Sequence, residues 1–344
     1  MKTVLIVGGG FAGIAAAISF KGSNLVRFIL VDRKEYFEVT PAQLHAIVDP
    51  GATGKRSRIP YEDIIGDSFA FGEVVGMEDR SARLADGRRI AFDTAIIATG
   101  TKYPKFPMAK PLGQSTIALR DSHNEQEHGK FLASESFLVI GGGVVGVELA
   151  GELAAYAPGK RVRLAHGGTR LTENLSAKAS ALALAHLREL GVKVELGTMD
   201  ARPDPGEAVY LTVSPEPATE FLASVNPGIL DAKRLIRVDE YLRVKGRENW
   251  YAVGDATDFP DAKQAATADK QGAYVARAIL AGFGSKVRAP RPYKIGTTPI
   301  LVPIGANRGF AQLPFGLVTW KGLVDIKRKD YMIGMFRKKL GIRG

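Results

Sequence analysis

An α/β fold built on two copies of one β–turn–α unit is what the sequence predicts, from three observations. A continuous apolar run, residues 4–7, leads into Gly8-x-Gly10-x-x-Gly13 and an alanine-rich helical stretch, residues 14–20. The same order recurs at residues 137–140, Gly141-x-Gly143-x-x-Gly146 and residues 147–156. A third apolar run, residues 250–253, ends at Gly254-Asp255. Short continuous apolar runs suit strands buried on both faces, as in a parallel sheet. Glycine permits the tight turn and lets backbone approach a pyrophosphate, while N–H groups at the helix start hold that anion. One such pattern alone can be no more than a tight β–α turn. Two, each set between an apolar strand and an apolar helix, imply two nucleotides and two Rossmann-like domains.

The composition narrows the class. At 344 residues and 45% hydrophobic, the chain can bury two or three cores. Charged residues make up 24%, as in an ordinary globular protein. No apolar run reaches the roughly 18 residues of a membrane-spanning helix. The apolar start is only a strand long and flows into the glycine turn, so it reads as the first strand and not as a signal peptide. Position 2 is lysine, so the N-myristoylation pattern is absent. There is no cysteine, which excludes disulfides, thiolate metal sites, iron–sulfur clusters and thiol redox catalysis. The five histidines are scattered and no metal site is expected. From residue 286 to 344 there are thirteen lysines and arginines against two aspartates, while the remainder is neutral. The net charge of +11 therefore belongs to one segment, which suits an anionic partner: a membrane, nucleic acid or a phosphate-bearing ligand.

The elements follow in order. Residues 28–31 form the second strand, ending at Asp32, 19 residues past Gly13. Residues 37–51 bring Pro41, a helical pattern and a stop at Gly51. Short antiparallel strands with an Asp86-Gly87 hairpin turn come next, then a buried strand at 95–98 ending in Thr99-Gly100. A linker rich in Pro, Lys and Gly spans 101–113. In the second unit, the strand at 162–165 ends at His166, a helix spans 176–190 before Gly191, and a strand spans 209–213. Two short strands precede residue 250, and a helix spans 265–280. The tail holds a strand-like stretch at 300–306 and a final helical stretch at 330–341. The predicted domains are residues 1–113 with 239–285, residues 114–238, and a small basic α+β unit at 286–344.

An acid ending the second strand accepts hydrogen bonds from a ribose, so Asp32 suits the adenosine ribose of FAD. Around the first turn the candidate contacts are Gly8, Gly10, Phe11, Ala12 and Gly13, with Arg33 beside Asp32. Thr99 and Gly100 close the strand at 95–98; Gly254, Asp255 and Ala265 follow the third apolar run. Asp255 is read as a flavin contact, with a helix N-cap as the alternative. The second turn offers Gly141, Gly143, Val145 and Gly146 for NAD(P)H. Its strand ends in His166, not an acid, with Arg170 beyond. An acid would repel the 2′-phosphate of NADPH, so NADH and NADPH are both expected to serve; the alternative is that His166 only closes the strand. Glu148, two residues past Gly146, is either a dipole-favoured surface acid or the group where nicotinamide meets flavin. Chemistry alone does not separate these.

The order of first fingerprint, AIIATG, second fingerprint with Glu148, and NWYAVGDA resembles the two-dinucleotide-binding-domain flavoprotein reductases over about residues 1–285. The resemblance implies FAD in the first site, NAD(P)H in the second, and hydride passing from nicotinamide to flavin, a step that needs stacking and orientation more than acid–base help. The branches that depend on redox cysteines do not fit. VDRKEYFEVTPAQLHAIVDP, HGGTRL and the tail KRKDYMIG are similar to the apoptosis-inducing-factor-like, mitochondrion-associated group, which includes the ferroptosis suppressor NAD(P)H:quinone reductases. That implies a ubiquinone- or vitamin-K-like acceptor at a membrane surface, Glu148 beside the nicotinamide, and Lys327 near the active site. Some features depart from the pattern. The stretch 197–209 is short and proline-punctuated, leaving little room for a β-meander. Val213-Ser214-Pro215 stands where a second Ala-Thr-Gly is usual. AATADKQG keeps Ala265, Ala268, Gln271 and Gly272 of a type II NADH:quinone reductase pattern but not its other glutamines.

Met332, Met335, Phe336 and Leu340 recur at helical spacing, with Arg337 and Lys338 on another face. This is either an interfacial helix or a packed helix covering the flavin. The expected setting is cytoplasmic or peripheral on an intracellular membrane. The competing readings are a soluble reductase feeding an electron-transfer protein, and a flavin-bearing nucleic-acid or regulatory binder. The last ranks lowest, because the tail's cations are not interleaved with stacking aromatics. The sequence sets no oligomeric state.

Overall fold

The first apolar run becomes a central strand because both its faces are covered. The computed structural model describes residues 1–342 except 199, 224–226, 287, 289 and 297; position 199 of the 197–209 stretch, 224–226 of the second unit, and 287, 289, 297, 343 and 344 of the basic tail lie outside it. Strands β1 (Lys2–Val7), β2 (Val26–Asp32), β3 (Phe69–Phe71) and β4 (Thr94–Ile97) pair in parallel in the order β4-β1-β2-β3. Val4, Leu5 and Ile6 are fully buried. Helix α1 (Phe11–Phe20) follows the first turn and buries its alanines. Next come α2 (His45–Val48), α3 (Pro50–Ser57) and α4 (Tyr61–Ile65). Gly51, expected to stop a helix, instead lies in the first turn of α3. The Asp49 carboxylate accepts from the Ala52 N–H at 3.0 Å and Pro50 opens the helix, so this is a start signal. The expected antiparallel strands form at residues 74–91, with Gly87 at φ 89° in their hairpin turn.

Helix α5 (Ile117–Ala133) carries a fully buried arginine, Arg120. Its guanidinium donates to both oxygens of Glu38, at 2.9 and 3.2 Å, and to the carbonyls of Pro107 and Met108. The linker is thereby fastened to the first unit.

The second unit repeats the first. Strand β5 (Ser136–Ile140), α6 (Val144–Tyr156), β6 (Arg161–His166), α7 (Ala177–Glu189), β7 (Lys193–Leu196) and β8 (Glu207–Leu211) build a parallel sheet in the order β7-β6-β5-β8. β8 starts and ends two residues before the expected strand, because the chain turns at Ser214, φ 58°. The pair of short strands expected before residue 250 is reduced to isolated bridges, such as Val238 with Val244. Arg234 and Leu242 turn with φ of 64° and 61°, which cuts the pairing short. Strand β9 (Trp250–Ala252) then returns to the first sheet and pairs with β4 in parallel. Helix α8 (Ala265–Gly282) packs on α1.

The tail spans both cores. Strands β10 (Ile300–Ile304), β11 (Arg308–Leu313) and β12 (Gly316–Val318) form an antiparallel sheet, followed by α9 (Lys321–Arg328) and α10 (Ile333–Lys339). Val302, Ile304 and Phe310 join the core of the second sheet. Tyr331, Ile333, Phe336 and Leu340 join the core of the first. The Phe336 ring lies 4.8 Å from Phe11 and 6.1 Å from Phe37. Of the two readings of this stripe, the structure shows mostly inward packing: Phe336 and Leu340 are buried, and Met335 faces solvent. α10 is seven residues long and begins after Met332 at φ 68°, so Met332 is outside the helical stripe.

The α1–α8 contact generates a stability prediction. A Cβ at Gly272 would lie 2.0 Å from the Ala12 carbonyl oxygen, so Gly272→Ala forces two packed helices apart. Overpacking of this kind costs about 1–3 kcal/mol. We expect a lower urea midpoint for the variant, and an unchanged midpoint would refute this account of the contact.

Candidate functional site

The first glycine turn is fixed by backbone contact. Gly8 takes φ 99°, and a Cβ on Gly13 would sit 1.8 Å from the Gly8 carbonyl oxygen. A Cβ on Gly10 would meet nothing within 4 Å, so the N-terminus of α1 opens onto free space as a pyrophosphate cradle requires. Phe11 opens α1 and packs edge-on against Phe37; Ala12 follows, buried. Asp32 sits below the turn and accepts from the Gly9 N–H at 2.6 Å and from the Lys34 N–H at 3.0 Å. The neighbouring Arg33 donates to the Pro111 carbonyl.

Two further strand ends converge here. Past β4, Thr99 carries a buried hydroxyl with no partner, and Gly100 takes φ 64°. Past β9, Gly254 takes φ 75° and its N–H donates to Gln271 at 2.7 Å. Asp255 follows in a 3₁₀ turn that has no side-chain cap, so it does not act as an N-cap. It accepts from Lys110 at 2.9 Å and Thr101 at 3.2 Å. Burial pushes its carboxyl up, but the Lys110 ammonium and the Thr101 hydroxyl outweigh burial and hold it below the ordinary aspartate range. Ala265 is the first residue of α8. All these groups lie at the carboxyl ends of parallel strands, where ligands of open α/β sheets bind. The open space over Gly10 and the unpartnered Thr99 hydroxyl fit a dinucleotide with hydrogen-bonding groups to offer.

The second turn reproduces the first. Gly141 takes φ 121°, a Cβ on Gly146 would lie 1.8 Å from the Gly141 carbonyl oxygen, and Gly143 faces free space. Val145 is the second residue of α6. His166 closes β6 against Gly142, with its Nε2 buried and unpartnered. Arg170 is not aimed at this turn. Its guanidinium donates to the carbonyls of Leu175 and Glu173 and to the Ser180 hydroxyl, which holds the start of α7.

Helix α6 carries two buried acids one turn apart, Glu148 and Glu152. Lys327, from α9, donates to Glu148 at 2.5 Å and to the Leu301 carbonyl at 3.3 Å. The structure thus joins two residues that are 179 positions apart in sequence. Burial raises the Glu148 carboxyl above the ordinary glutamate range; Lys327 pulls it down, and Glu152 pushes it up. Glu152 accepts from Tyr331 at 3.1 Å and contacts His45 Nδ1 at 2.9 Å. The sequence reading did not include Glu152, His45 or Tyr331. Only Glu152 had a local signal, its i+4 spacing from Glu148. Lys110, which anchors Asp255, had none.

The model of the pyridine nucleotide-disulphide oxidoreductase family matches residues 2–272. Ferroptosis suppressor protein 1 of Mus musculus is 30% identical over 96% of this chain and 93% of its own. Oxidoreductase ptaL of Pestalotiopsis fici is 30% identical over 90% of this chain and 91% of its own. Among solved structures, NDH2 from Plasmodium falciparum in complex with NADH aligns with a TM-score of 0.77 at 15% identity, covering 98% of both chains. That likeness shows the fold.

The Glu148–Lys327 pair generates a pH prediction. A carboxyl raised by burial keeps in the folded state a proton that the unfolded chain releases. Its contribution to stability is present below the ordinary glutamate pKa and is lost as pH rises through the folded value. Lys327→Met removes the opposing ammonium, so the variant loses more stability at pH 8 than at pH 5. Breaking a buried pair costs about 3–5 kcal/mol, the size expected at pH 8 in urea unfolding. Equal losses at both pH values would show that Glu148 does not depend on the Lys327 charge.

Proposed function

Because the chain belongs to the pyridine nucleotide-disulphide oxidoreductase family, we propose that it passes electrons from NADH or NADPH through FAD to a ubiquinone- or vitamin-K-like quinone at a membrane surface. The chain is an FAD-dependent NAD(P)H oxidoreductase. Its lack of cysteine on a disulphide-reductase fold is what points to a quinone. Without a thiol relay, the electron pair leaves directly for an acceptor that takes two electrons, and quinones do so.

When bound, FAD supplies the two-electron carrier between coenzyme and acceptor. The residues do the rest. Residues 1–113 and 239–285 hold FAD: the turn from Gly8 to Gly13 takes the pyrophosphate on the α1 N-terminus, Asp32 the ribose, and Asp255, Thr99 and Gly100 the flavin end. Residues 114–238 hold NAD(P)H on the second turn. His166 places no carboxylate against a 2′-phosphate, so both coenzymes are accepted. Glu148 and Lys327 orient the nicotinamide end and keep a proton-exchanging group beside it.

Residues 286–344 supply the membrane contact. Among the described residues, no helix is long and apolar enough to cross a membrane. Ile295, Phe315, Trp320, Ile326 and Met335 all expose large apolar side chains in this basic unit, Phe315 and Trp320 at 82% and 69%. Exposed apolar side chains on a unit of strong positive charge suit an anionic lipid surface.

Two measurements test this reading. Purified holoprotein should show flavin absorbance that anaerobic NADH or NADPH bleaches, and a short-chain quinone should restore it. If holoprotein oxidises NADH no faster with the quinone than with oxygen alone, the quinone reading is wrong. In flotation, the full chain should rise with anionic vesicles at low salt, and the double variant Phe315→Ser, Trp320→Ser should lose most of that binding. A chain that stays at the bottom with anionic and neutral vesicles alike rules out the membrane contact.

A further inference from the structure

The stoichiometry of the proposed reaction leaves one proton unaccounted for. A hydride carries two electrons and one proton, whereas a quinone takes two electrons and two protons to become a hydroquinone. The second proton comes from solvent and must reach a buried site. We propose that His45 and Glu152, the latter held in place by Tyr331, form the path by which that proton enters, ending at Glu148. This inference rests on the quinone reading above.

A cavity of about 220 Å³ is lined by His45 and Tyr331, the two partners of Glu152, together with Thr53, Arg56, Tyr156 and Arg328 among others. It is polar: the Thr53 hydroxyl and Arg328 Nη1 are buried with no protein partner, so water can satisfy them. His45 is 5% exposed, and its ring stacks on Tyr331 at 4.7 Å and meets Tyr156 edge-on at 5.0 Å. On the cavity side stand Arg56, Arg328, Lys329 and Asp330. On the inner side stand Glu152 and, one turn back along α6, Glu148 with Lys327.

The steps balance without a further reagent. A hydronium ion in the cavity gives a proton to His45 Nε2 and leaves as water, while the bond from Nδ1 to its hydrogen breaks as Glu152 Oε2, 2.9 Å away, gains that proton; the ring stays neutral, and loss of the Nε2 proton to water as Nδ1 takes one up resets it for the next turnover. A neutral imidazole carries a donor on one ring nitrogen and an acceptor on the other, so it can take a proton on one side as it gives one on the other. Tyr331 keeps its phenolic proton, since burial and then the Glu152 charge push its ionisation far up. It therefore orients the carboxylate and does not itself conduct. Glu152 then passes the proton to Glu148. Side chains at i and i+4 lie roughly 5–6 Å apart at Cβ, a gap that two carboxylates close directly or through one water. Once the oxidised coenzyme has left its place beside Glu148, Glu148 gives the proton to the oxygen of the acceptor that takes that place. His45 and Tyr331 touch neither coenzyme nor acceptor in this scheme; they are positioning and relay groups.

The test compares acceptors on holoenzyme. Ferricyanide takes electrons without protons, whereas a water-soluble short-chain benzoquinone needs both. His45→Phe keeps the stacked ring but carries no proton. We expect it to keep its flavin, to be bleached by NADH and to reduce ferricyanide within about twofold of the natural chain. Its benzoquinone reduction should fall tenfold or more, and added imidazole should restore part of the loss. Tyr331→Phe should give a smaller selective loss. Should His45→Phe lose flavin, His45→Gln and Tyr331→Phe carry the comparison. Equal loss with both acceptors, or no loss with either, overturns the relay. If the natural chain reduces ferricyanide but not benzoquinone, the quinone reading itself has failed, and the relay falls with it.

Discussion

Two buried carboxylates on one helix face constrain the rest of this molecule. Burying a charge is costly unless it is paired and hydrogen-bonded. Glu148 and Glu152 lie one turn apart on α6 and are 6% and 3% exposed. α6 brings no cation of its own to this face, so partners come from elsewhere. Lys327 arrives from the tail, His45 from α2 and Tyr331 from the turn after α9. The acids thus fasten the first unit, the second unit and the tail to one point. The apolar packing agrees, since the tail gives Phe310 to one core and Phe336 to the other. Removing the tail would expose both cores and leave Glu148 without its ammonium.

The two glycine turns rest on a second constraint, which is purely steric. In both, the third glycine comes so near the first glycine's carbonyl oxygen that a Cβ would lie at 1.8 Å. In both, the middle glycine faces free space. The agreement comes from two independent stretches of sequence solving one geometric problem: a helix must start close enough to a strand end to aim its N–H groups at an anion. What distinguishes the sites is then the strand-end residue, Asp32 in one and His166 in the other. Asp32 is already drawn into its turn by the Gly9 N–H. His166 fills the space beside Gly142 and leaves Nε2 unpartnered.

Much of the fold was legible because its signals are local. The runs at 4–7 and 137–140, the glycine spacing and the Asp86-Gly87 turn each lie within a few residues. The rest lies where a local signal has two meanings. Gly51 has the look of a helix stop, but Asp49 and Pro50 before it start a helix. The stripe from Met332 to Leu340 has the spacing of a membrane-lying helix and equally of a packed one; Phe11 and Phe37, far away in sequence, decide the matter. Arg170 follows His166 closely, yet its guanidinium faces the carbonyls that start α7. The least legible groups were His45, Glu152 and Tyr331, because nothing in any one segment marks them. Their meaning comes from meeting one another.

The basic tail illustrates how one composition serves two ends. Its lysines and arginines look alike in sequence, but the fold sorts them by burial. Lys327 points inward, its side chain 13% exposed and tied to an acid. Lys321 and Lys329 on the same short stretch stay in solvent near Trp320 and Ile326. The sorting follows from helix geometry: Val324 and Lys327 are three apart and share the inward face, whereas Ile326, two past Val324, points away from it, and Lys329 lies just past the helix end. An inward face that completes a buried ion pair therefore forces an outward face of cations and unburied apolar side chains. Any surface that binds the outward face therefore also holds the helix that carries Lys327, and through α9 it acts on the setting of Glu148.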